Sequence, residues 1–229
     1  MTVSLRLAVC GSLLGIALLT GCTSQSLLIA NFNSDVIGSP PSANQPQGTV
    51  AVDNGAGSVL VASPPPNAST NWAEISHPTV NSPQTALQGK FSQFEGEGRY
   101  GLLAVLFIPR DCGVVTLQFE PAQNGPRDYL GFLHLDFMPN NTVRIDDSGT
   151  TFGTFPRDQF FTVSVNLQIG ASAATAQMQL FGAGASGSLE YNVQQANLAR
   201  QIGGVRFWMG AQHVGAFKVD DIVVSYTEP

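Results

Sequence analysis

Two short stretches of the sequence put polar or aromatic residues two positions apart. His134 and Asp136 are one such pair, and Arg206 and Trp208 are the other. Residues two apart on a β-strand point to the same face. An indole ring beside charged groups is typical of a shallow sugar site, where sugar C–H faces stack on the ring and hydroxyls bond the polar groups. We predict one glycan-binding patch if the two strands are neighbours, with Trp72 as a second candidate residue.

The same patterns favour a protein without catalytic residues. Glycoside hydrolysis uses two carboxylic acids. The next residue on the same face as His134 and Asp136 is Met138, so the second carboxylate is missing there. Glu95 and Glu97 are flanked by glycines and indicate a turn. A hydrogen-bonded His134–Asp136 pair that bridges two strands is the simpler interpretation.

Possible metal ligands are sparse. The three histidines are scattered, and the chain has no Cys-x-x-Cys spacing. The adjacent carboxylates Asp146–Asp147 and Asp220–Asp221 could hold a structural Ca²⁺ through their oxygens. Neighbouring residues on a strand point to opposite faces unless the backbone bulges. We therefore expect no cofactor, with structural calcium as the alternative.

The charge pattern argues against nucleic acid as a partner. The formal net charge is −6, and the chain has no cluster of basic residues that could neutralise phosphates. Lys90 and Lys218 are the only lysines. A polybasic patch for anionic lipids is therefore also excluded.

Segments with alternating apolar and polar residues recur along the chain, separated by Gly, Pro, Asn and Asp, and they predict an all-β fold. The stretch Phe160–Ile169 is the clearest, with one apolar and one polar face. So many short strands fit two packed antiparallel sheets, a β-sandwich. Gln194–Arg200 is the one predicted helical turn. The predicted strands are Leu27–Phe32, Thr49–Asp53, Ser58–Ala62, Trp72–Ser76, Ala86–Phe94, Gly101–Ile108, Val114–Glu120, Tyr129–Met138, Val143–Asp147, Phe160–Ile169, Thr175–Phe181, Leu189–Asn192, Val205–Gly210 and Ala216–Tyr226.

Four of these segments resemble strands of concanavalin A-like jelly rolls, the fold of many lectins and glucanases. Ala30–Ser34 and Phe217–Val224 are similar to the first and last strands of that fold, and Phe161–Val165 and Ala176–Phe181 to its paired central strands. The resemblance implies that the two terminal strands pair side by side. Glucanases of this fold carry Glu-x-Asp-x-x-Glu on one strand, a motif that this chain lacks. Fold alone does not determine function.

The N-terminus predicts export. Arg6 precedes an apolar run, Leu7–Leu19, that is too short to span a bilayer, which takes about 20 residues. The run ends in Leu-Thr-Gly-Cys at positions 19–22, which resembles the lipobox of bacterial lipoproteins. The resemblance implies a signal peptide over residues 1–21 and a lipid (diacylglyceryl and palmitate) on Cys22. It also implies an envelope-anchored domain over residues 22–229. The residue after Cys22 is Thr23, not the aspartate that retains such proteins on the inner membrane, so outer-membrane sorting is implied.

This interpretation also accounts for the cysteines. Cys10 would leave with the signal peptide, and Cys112 would be the only free thiol, so no internal disulfide is expected. If the first strand begins at Leu27, Cys22 is followed by four residues that reach about 14 Å at most. The domain would then sit close to the membrane surface.

Three functions remain open from the sequence. The first is a non-catalytic envelope lipoprotein with a structural or protein-contact role, which the missing carboxylate pair favours. The second is a lectin-like carbohydrate-binding module that uses Trp208, Arg206, His134, Asp136 and Trp72. The third is a polysaccharide-active enzyme with an unfamiliar site. A broad exposed groove around Trp208 would favour the second function, and a flat or filled face would favour the first.

Overall fold

The computed structural model describes residues 24–122, 132–145, 148–193 and 201–229. Several sequence predictions lie outside these ranges: the signal peptide with Cys22, the pair Asp146–Asp147 and the helical turn Gln194–Arg200. The described residues form strands, turns and loops, without a helix. In this part of the chain, no helix offers the length and hydrophobicity of a membrane span.

Nearly every strand falls where the alternation predicts it. The short strand β10 is the one that the sequence did not reveal. The strands are β1 (Ser24–Ala30), β2 (Thr49–Asp53), β3 (Ser58–Ala62), β4 (Trp72–His77), β5 (Thr85–Glu95), β6 (Gly98–Phe107), β7 (Val115–Pro121), β8 (Phe132–Phe137), β9 (Val143–Ile145), β10 (Thr150–Phe152), β11 (Phe160–Ile169), β12 (Ala174–Phe181), β13 (Gly187–Asn192), β14 (Ile202–Met209) and β15 (Gly215–Thr227).

The strands form two antiparallel sheets that pack as a β-sandwich, which confirms the predicted fold class. The eight-stranded sheet has the order β13-β12-β11-β6-β15-β4-β3, with β1 also paired to β15. The seven-stranded sheet has the order β10-β9-β8-β7-β14-β5-β2. Several neighbouring strands are not consecutive in the sequence, for example β6 and β15 or β7 and β14, so the sheet order could not be deduced from the local pattern.

The core lies between the sheets and follows the period of two. In β11, Phe161, Val163, Val165 and Leu167 are buried, whereas the residues between them face outward. In β8 the predicted apolar side, Leu133, Leu135 and Phe137, is buried in the same way. Burial of these side chains is the main stabilising term, because the described residues contain no disulfide and Cys112 is a buried free thiol.

The two terminal strands pair as the resemblance implied. Strand β1 runs antiparallel to β15, from Ser24 opposite Thr227 to Ala30 opposite Ile222. The same edge of β15 pairs with β4 over Gly215–Val219. Two strands therefore share one edge of β15, and β15 bulges where they meet, between Asp220 and Val223.

One buried arginine joins several loops at one end of the sandwich. Arg157 is 8% exposed, and its guanidinium donates hydrogen bonds to three main-chain carbonyls: those of Pro109 at 2.9 Å, Cys112 at 2.8 Å and Met138 at 2.8 Å. Its Nε atom donates to Asn141 Oδ1 at 3.2 Å. The cation also lies over the ring of Phe155, 5.2 Å from the centroid. Arg157 thus donates hydrogen bonds to loop carbonyls that take no part in the hydrogen bonding between strands.

Candidate functional site

The outer face of the seven-stranded sheet carries a row of polar side chains that includes Asp136 and Trp208. Cross-strand pairing aligns Arg144 with Asp136 and Asp136 with Thr116. It also aligns Thr116 with Trp208, and, through Ala86, Trp208 with Asp53. The row therefore crosses six strands. Strands lie about 4.8 Å apart, so Asp136 and Trp208, two strands from each other, are about 10 Å apart at the backbone.

A second row runs beside the first, one pleat away on the same face. His134 pairs with Gln118, and Gln118 pairs with Arg206. Strand β7 thus lies between the two strands that the sequence singled out. The two strands are therefore not neighbours, although the four predicted residues lie on one outer face of the sheet. We call this face the Trp208 surface: Trp208, Arg206, His134, Asp136, Thr116, Gln118, Arg144, Asp53 and Glu120.

Asp136 is held by two partners. It is buried, and its Oδ1 accepts a hydrogen bond from Thr116 Oγ1 at 2.6 Å. Its Oδ2 accepts hydrogen bonds from Arg144, from Nη2 at 2.6 Å and from Nε at 3.2 Å. A carboxylate can accept about four hydrogen bonds, two at each oxygen. Oδ2 already accepts two from Arg144, so one position remains, at Oδ1. The carboxylate is fixed in position by these two partners.

Arg206 and Trp208 are also held in place by neighbours. The Trp208 Nε1–H donates to Gln118 Oε1 at 3.0 Å, and the Arg206 guanidinium lies 5.9 Å from the indole centroid. Arg206 Nη2 is 3.4 Å from Asp53 Oδ2, and Nη1 is 4.0 Å from Glu120 Oε1. The indole therefore has a set orientation, and it is partly exposed.

Burial shapes the electrostatics of this face. It raises the pKa of Glu120, and the positive charges of Arg206 and Lys90 oppose that rise. Burial also lowers the pKa of His213, which lies in the loop after β14 and experiences the charges of Asp136 and Arg144. The surface thus combines paired charges of both signs, the partly exposed indole of Trp208 and the amide of Gln118. Four of its polar side chains are themselves buried: Thr116, Gln118, Asp136 and Arg206.

Trp72 does not belong to the Trp208 surface. It lies at the start of β4, in the other sheet, where it is 3% exposed and packs against Phe160 with ring centroids 6.2 Å apart. The sequence analysis gave Trp72 as a second candidate residue for glycan binding. Its ring is buried against a second aromatic ring, which stabilises so large an apolar surface.

The partners of the four predicted residues were not identified from the sequence. Thr116 and Gln118 occupy the polar positions of the alternating segment Val114–Glu120, a signal that was present. Arg144 and Asp53 had no such signal. Their place depends on strand order, which follows from long-range pairing.

No family model matches the chain, and no curated protein matches it. Solved structures do. A protein of unknown function from Shewanella oneidensis MR-1 has a TM-score of 0.58 and 12% identity, covering 99% of this chain and 96% of that one. Arcelin-5 from Phaseolus vulgaris, named a lectin-like defence protein, has a TM-score of 0.53 and 10% identity, covering 92% and 100%. The CBM2 module of evolved Dit from Lactobacillus casei BL23 phage J-1 has a TM-score of 0.52 and 14% identity, covering 91% and 98%.

The fold is the jelly roll of the legume lectins. The likeness covers most of the chain, and at these identities it describes the fold alone. In this jelly roll, the Trp208 surface is one outer face of the sandwich.

The second carboxylate pair of the sequence analysis lies at the bulge of β15. Asp221 adopts a left-handed backbone with φ 48°, and the bulge removes the strict opposition of neighbouring side chains. Even so, the described residues contain no group of three or more His, Cys, Asp or Glu side chains that could hold a metal ion. Burial first, and then the neighbouring Asp221 charge, raise the pKa of Asp220 to about 6.

This shift predicts a pH dependence of stability. The folded protein holds the Asp220 proton more tightly than the unfolded chain, for which the ordinary pKa is 3.8. The stabilising contribution is therefore complete below the unfolded value and is lost as the pH rises through about 6. Its full size is about 3 kcal/mol at most. Urea unfolding across this pH range should show the trend in the wild type and a flatter curve in Asp220→Asn. Equal slopes for the two proteins would contradict it, and Asp111→Asn, at an exposed position, is the control.

Proposed function

We propose that the protein is a lectin-like, non-catalytic glycan-binding module of the bacterial cell envelope, and that its ligand binds the Trp208 surface. The observation behind this proposal is the pair of polar rows that brings Trp208, Arg206, His134 and Asp136 onto one face. The indole offers a stacking surface for a sugar ring, and the side chains around it offer donors and acceptors for hydroxyls.

The position of this surface supports the proposal. Strand β1 begins at Ser24, two residues after Cys22, and the Gln25 side chain donates to Glu95 Oε1 at 2.7 Å. Glu95 pairs with Ile202, at the start of β14. Trp208 lies six positions further along β14, about 20 Å away. In a protein anchored through Cys22, the Trp208 surface would lie at the end of the sandwich remote from the bilayer.

The similar structures support the same class of function. One of them is named a lectin-like defence protein and another a CBM2, a carbohydrate-binding module. Their identities to this chain are low, so the proposal rests on the residues of the Trp208 surface.

The extent of pairing on this face favours a second candidate, an envelope protein with a structural or protein-contact role. Asp136 is bonded to Arg144 and Thr116, and Arg206 lies beside Asp53. Because these polar side chains already bond to one another, a sugar that binds here would form fewer new hydrogen bonds with them, and its binding would be weaker. A protein partner would instead use the whole face as a docking surface.

A polysaccharide array separates the two candidates. We expect the wild type to bind at least one glycan, and Trp208→Ala to bind it at least about tenfold more weakly, a loss of about 1.4 kcal/mol. Phe94→Ala is the matched control, because Phe94 is 56% exposed on β5, near Glu95 and away from Trp208. Thermal unfolding should show that both variants remain folded. Equally weak signals from wild type and Trp208→Ala would reject glycan binding at this surface and favour the structural role.

A further inference from the structure

His77, the last residue of β4, is completely buried, and both of its ring nitrogens contact hydroxyl groups. Nδ1 lies 2.9 Å from Thr85 Oγ1, at the start of β5. Nε2 lies 3.0 Å from Ser82 Oγ, in the loop 78–84 that joins the two strands. We call this segment the Ser82 loop. The ring therefore bridges a strand and a loop, and its hydrogen bonds depend on how many protons it carries.

Each of the two hydroxyls also contacts a main-chain carbonyl. Thr85 Oγ1 donates to Asn54 O at 2.9 Å, and Ser82 Oγ donates to Thr79 O. A hydroxyl has one proton, so a hydroxyl that donates to a carbonyl can only accept from the ring. All four hydrogen bonds are therefore complete only when both ring nitrogens carry a proton, which makes the ring a cation. A neutral ring has one N–H, and one of the four bonds is then lost.

Ser82 is the residue that gives up its bond to a carbonyl when the ring is neutral. Thr85 is fully buried, where a lost hydrogen bond is costly. Ser82 is half-buried and Thr79 is exposed, so water can bond the Thr79 carbonyl instead. A neutral His77 would accept the Ser82 proton at Nε2, and the Ser82 loop would lose the hydrogen bond that closes it.

The segments that adjoin His77 contain no titratable side chain. They are the turn 54–57, the Ser82 loop and the start of β15, residues 215–217. Glu74 of β4 and Asp53 of β2 lie on the outer faces of the two sheets, where they pair with Lys218 and Arg206. The hydroxyls are therefore the polar groups that meet the ring directly.

Two further titratable groups lie close to the ring. Burial lowers the pKa of His213, in the loop after β14, and Asp136 opposes that shift. Arg144 and the His77 ring add to it. Cys112 packs against the strand partner of His77 and is an uncharged thiol, because burial raises its pKa to about 12. Histidine is the side chain that ordinarily changes its charge between pH 5 and 8, so pH can control this network.

The Ser82 loop holds the loop that follows Trp208. The Asn81 N–H donates to Ala211 O at 2.6 Å, and Gln212 Nε2 donates to Asn81 Oδ1 at 2.9 Å. Asn81 has a left-handed backbone with φ 56°, which asparagine tolerates. We call residues 210–214 the Gly210 loop. A movement of the Ser82 loop is therefore passed on to the Gly210 loop.

The Gly210 loop lies directly against the indole of Trp208. A Cβ atom added at Gly210 would lie 3.0 Å from Trp208 Cζ3, so the ring and the main chain are in contact. Strand pairing provides a second connection, because Thr85 pairs with Met209 and the next residue of β5 pairs with Trp208. Contacts thus lead from the His77 ring to the ring of the Trp208 surface without a gap.

We propose that His77 is a pH-sensitive switch for the Trp208 surface. The protonated ring closes the Ser82 loop, and through the Gly210 loop it fixes the Trp208 indole for a ligand. The neutral ring releases the Ser82 loop, and the indole becomes more mobile. The Trp208 surface then holds its ligand more tightly in mildly acidic than in neutral solution, a consequence that rests on the proposed function.

The switch can be measured without a sugar. The protein has two tryptophans, so Trp208→Phe identifies the indole N–H signal of Trp208 in the ¹H–¹⁵N spectrum, and His77→Gln identifies the ring signals of His77. Between pH 5 and 7.5, we expect the Trp208 signal to move with the same midpoint as the His77 signals. The protection of the Asn81 N–H against exchange should fall about fivefold over this range, the effect of one lost hydrogen bond.

Ser82→Ala separates the His77 ring from the loop. Alanine at this half-buried loop position leaves the core intact, so the ring should still titrate while the Trp208 signal no longer follows it. Ser69→Ala, at an exposed loop position of the other sheet, is the matched control and should behave as the wild type.

Three results would overturn the proposal. If the His77 ring keeps one charge state from pH 5 to 7.5, it is not a switch. If the Trp208 signal follows His134, His213 or Glu120, the surface responds to pH without His77. If Ser82→Ala keeps the dependence of the wild type, the Ser82 loop does not carry the effect.

Glycan binding is measured separately, with a glycan that the array identifies. The Kd of the wild type should be at least about threefold lower at pH 5 than at pH 7.5, and Ser82→Ala should show no such difference. A wild-type Kd that is equal at the two pH values would reject control of binding by His77. If no glycan binds at either pH, the proposed function fails, and the Trp208 signal still decides whether the switch exists.

Discussion

Replacement of Arg157 by methionine is expected to lower the free energy of unfolding by about 3–5 kcal/mol. The side chain donates to the main-chain carbonyls of Pro109, Cys112 and Met138, and the variant loses these three hydrogen bonds. The Pro109 and Met138 carbonyls keep a main-chain donor, the N–H groups of Cys112 and Asn141. Methionine approximates the length of the side chain, so the loss reports mainly hydrogen bonds and the contact of the cation with Phe155. Urea unfolding at neutral pH measures this change in the free energy of unfolding.

The matched control is Arg110→Met. The Arg110 side chain is 85% exposed, and its ion pair with Asp158 lies at the surface, so it should cost less than about 1 kcal/mol. Arg157→Lys is a second comparison: one ammonium group cannot reach carbonyls on three sides as the planar guanidinium does, so lysine should recover little of the loss. Equal effects of the Arg157 and Arg110 substitutions would contradict this role of Arg157.

Replacement of Cys22 by alanine is expected to move the protein from the membrane fraction to the soluble fraction and to abolish labelling by radioactive palmitate. Two or more acyl chains give stable anchoring, because each buried CH₂ contributes about 0.8 kcal/mol. The fold should be unchanged, because β1 begins at Ser24.

Cys112→Ala serves as the control for this experiment. Burial raises the pKa of the Cys112 thiol to about 12 and keeps it unreactive, so the label should persist in that variant. A wild-type protein that takes up no palmitate would reject lipidation, and the proposed site on the Trp208 surface would then be tested on a protein without an anchor.

The strands that the sequence predicted best are those with one buried and one exposed face. Phe160–Ile169 was predicted with its exact bounds, because nearly every second residue is a large apolar one. Thr150–Phe152 was missed because three residues are too few to show a period. The bulge at Asp220 also had no local signal, since no Gly or Pro marks it. It arises where β1 and β4 meet on β15, which is a property of the sheet.

The candidate site could be predicted in part. Period-two alternation was enough to put Arg206 beside Trp208 and His134 beside Asp136 on one face. That β7 lies between these strands, and that Asp136 is bonded to Arg144, depends on a sheet order in which distant segments become neighbours. The burial of Trp72 likewise depends on Phe160, which is far away along the chain.

The pairing of β1 with β15 has a mechanical consequence. Pulling on the N-terminus of β1 while a ligand holds the remote end of the sandwich directs the load along the strand axis. The ladder from Ser24–Thr227 to Ala30–Ile222 is then sheared, with all of its hydrogen bonds loaded at once, instead of being unzipped one after another. A membrane anchor attached to the N-terminus of β1 would therefore let the domain resist the force exerted by a bound polysaccharide.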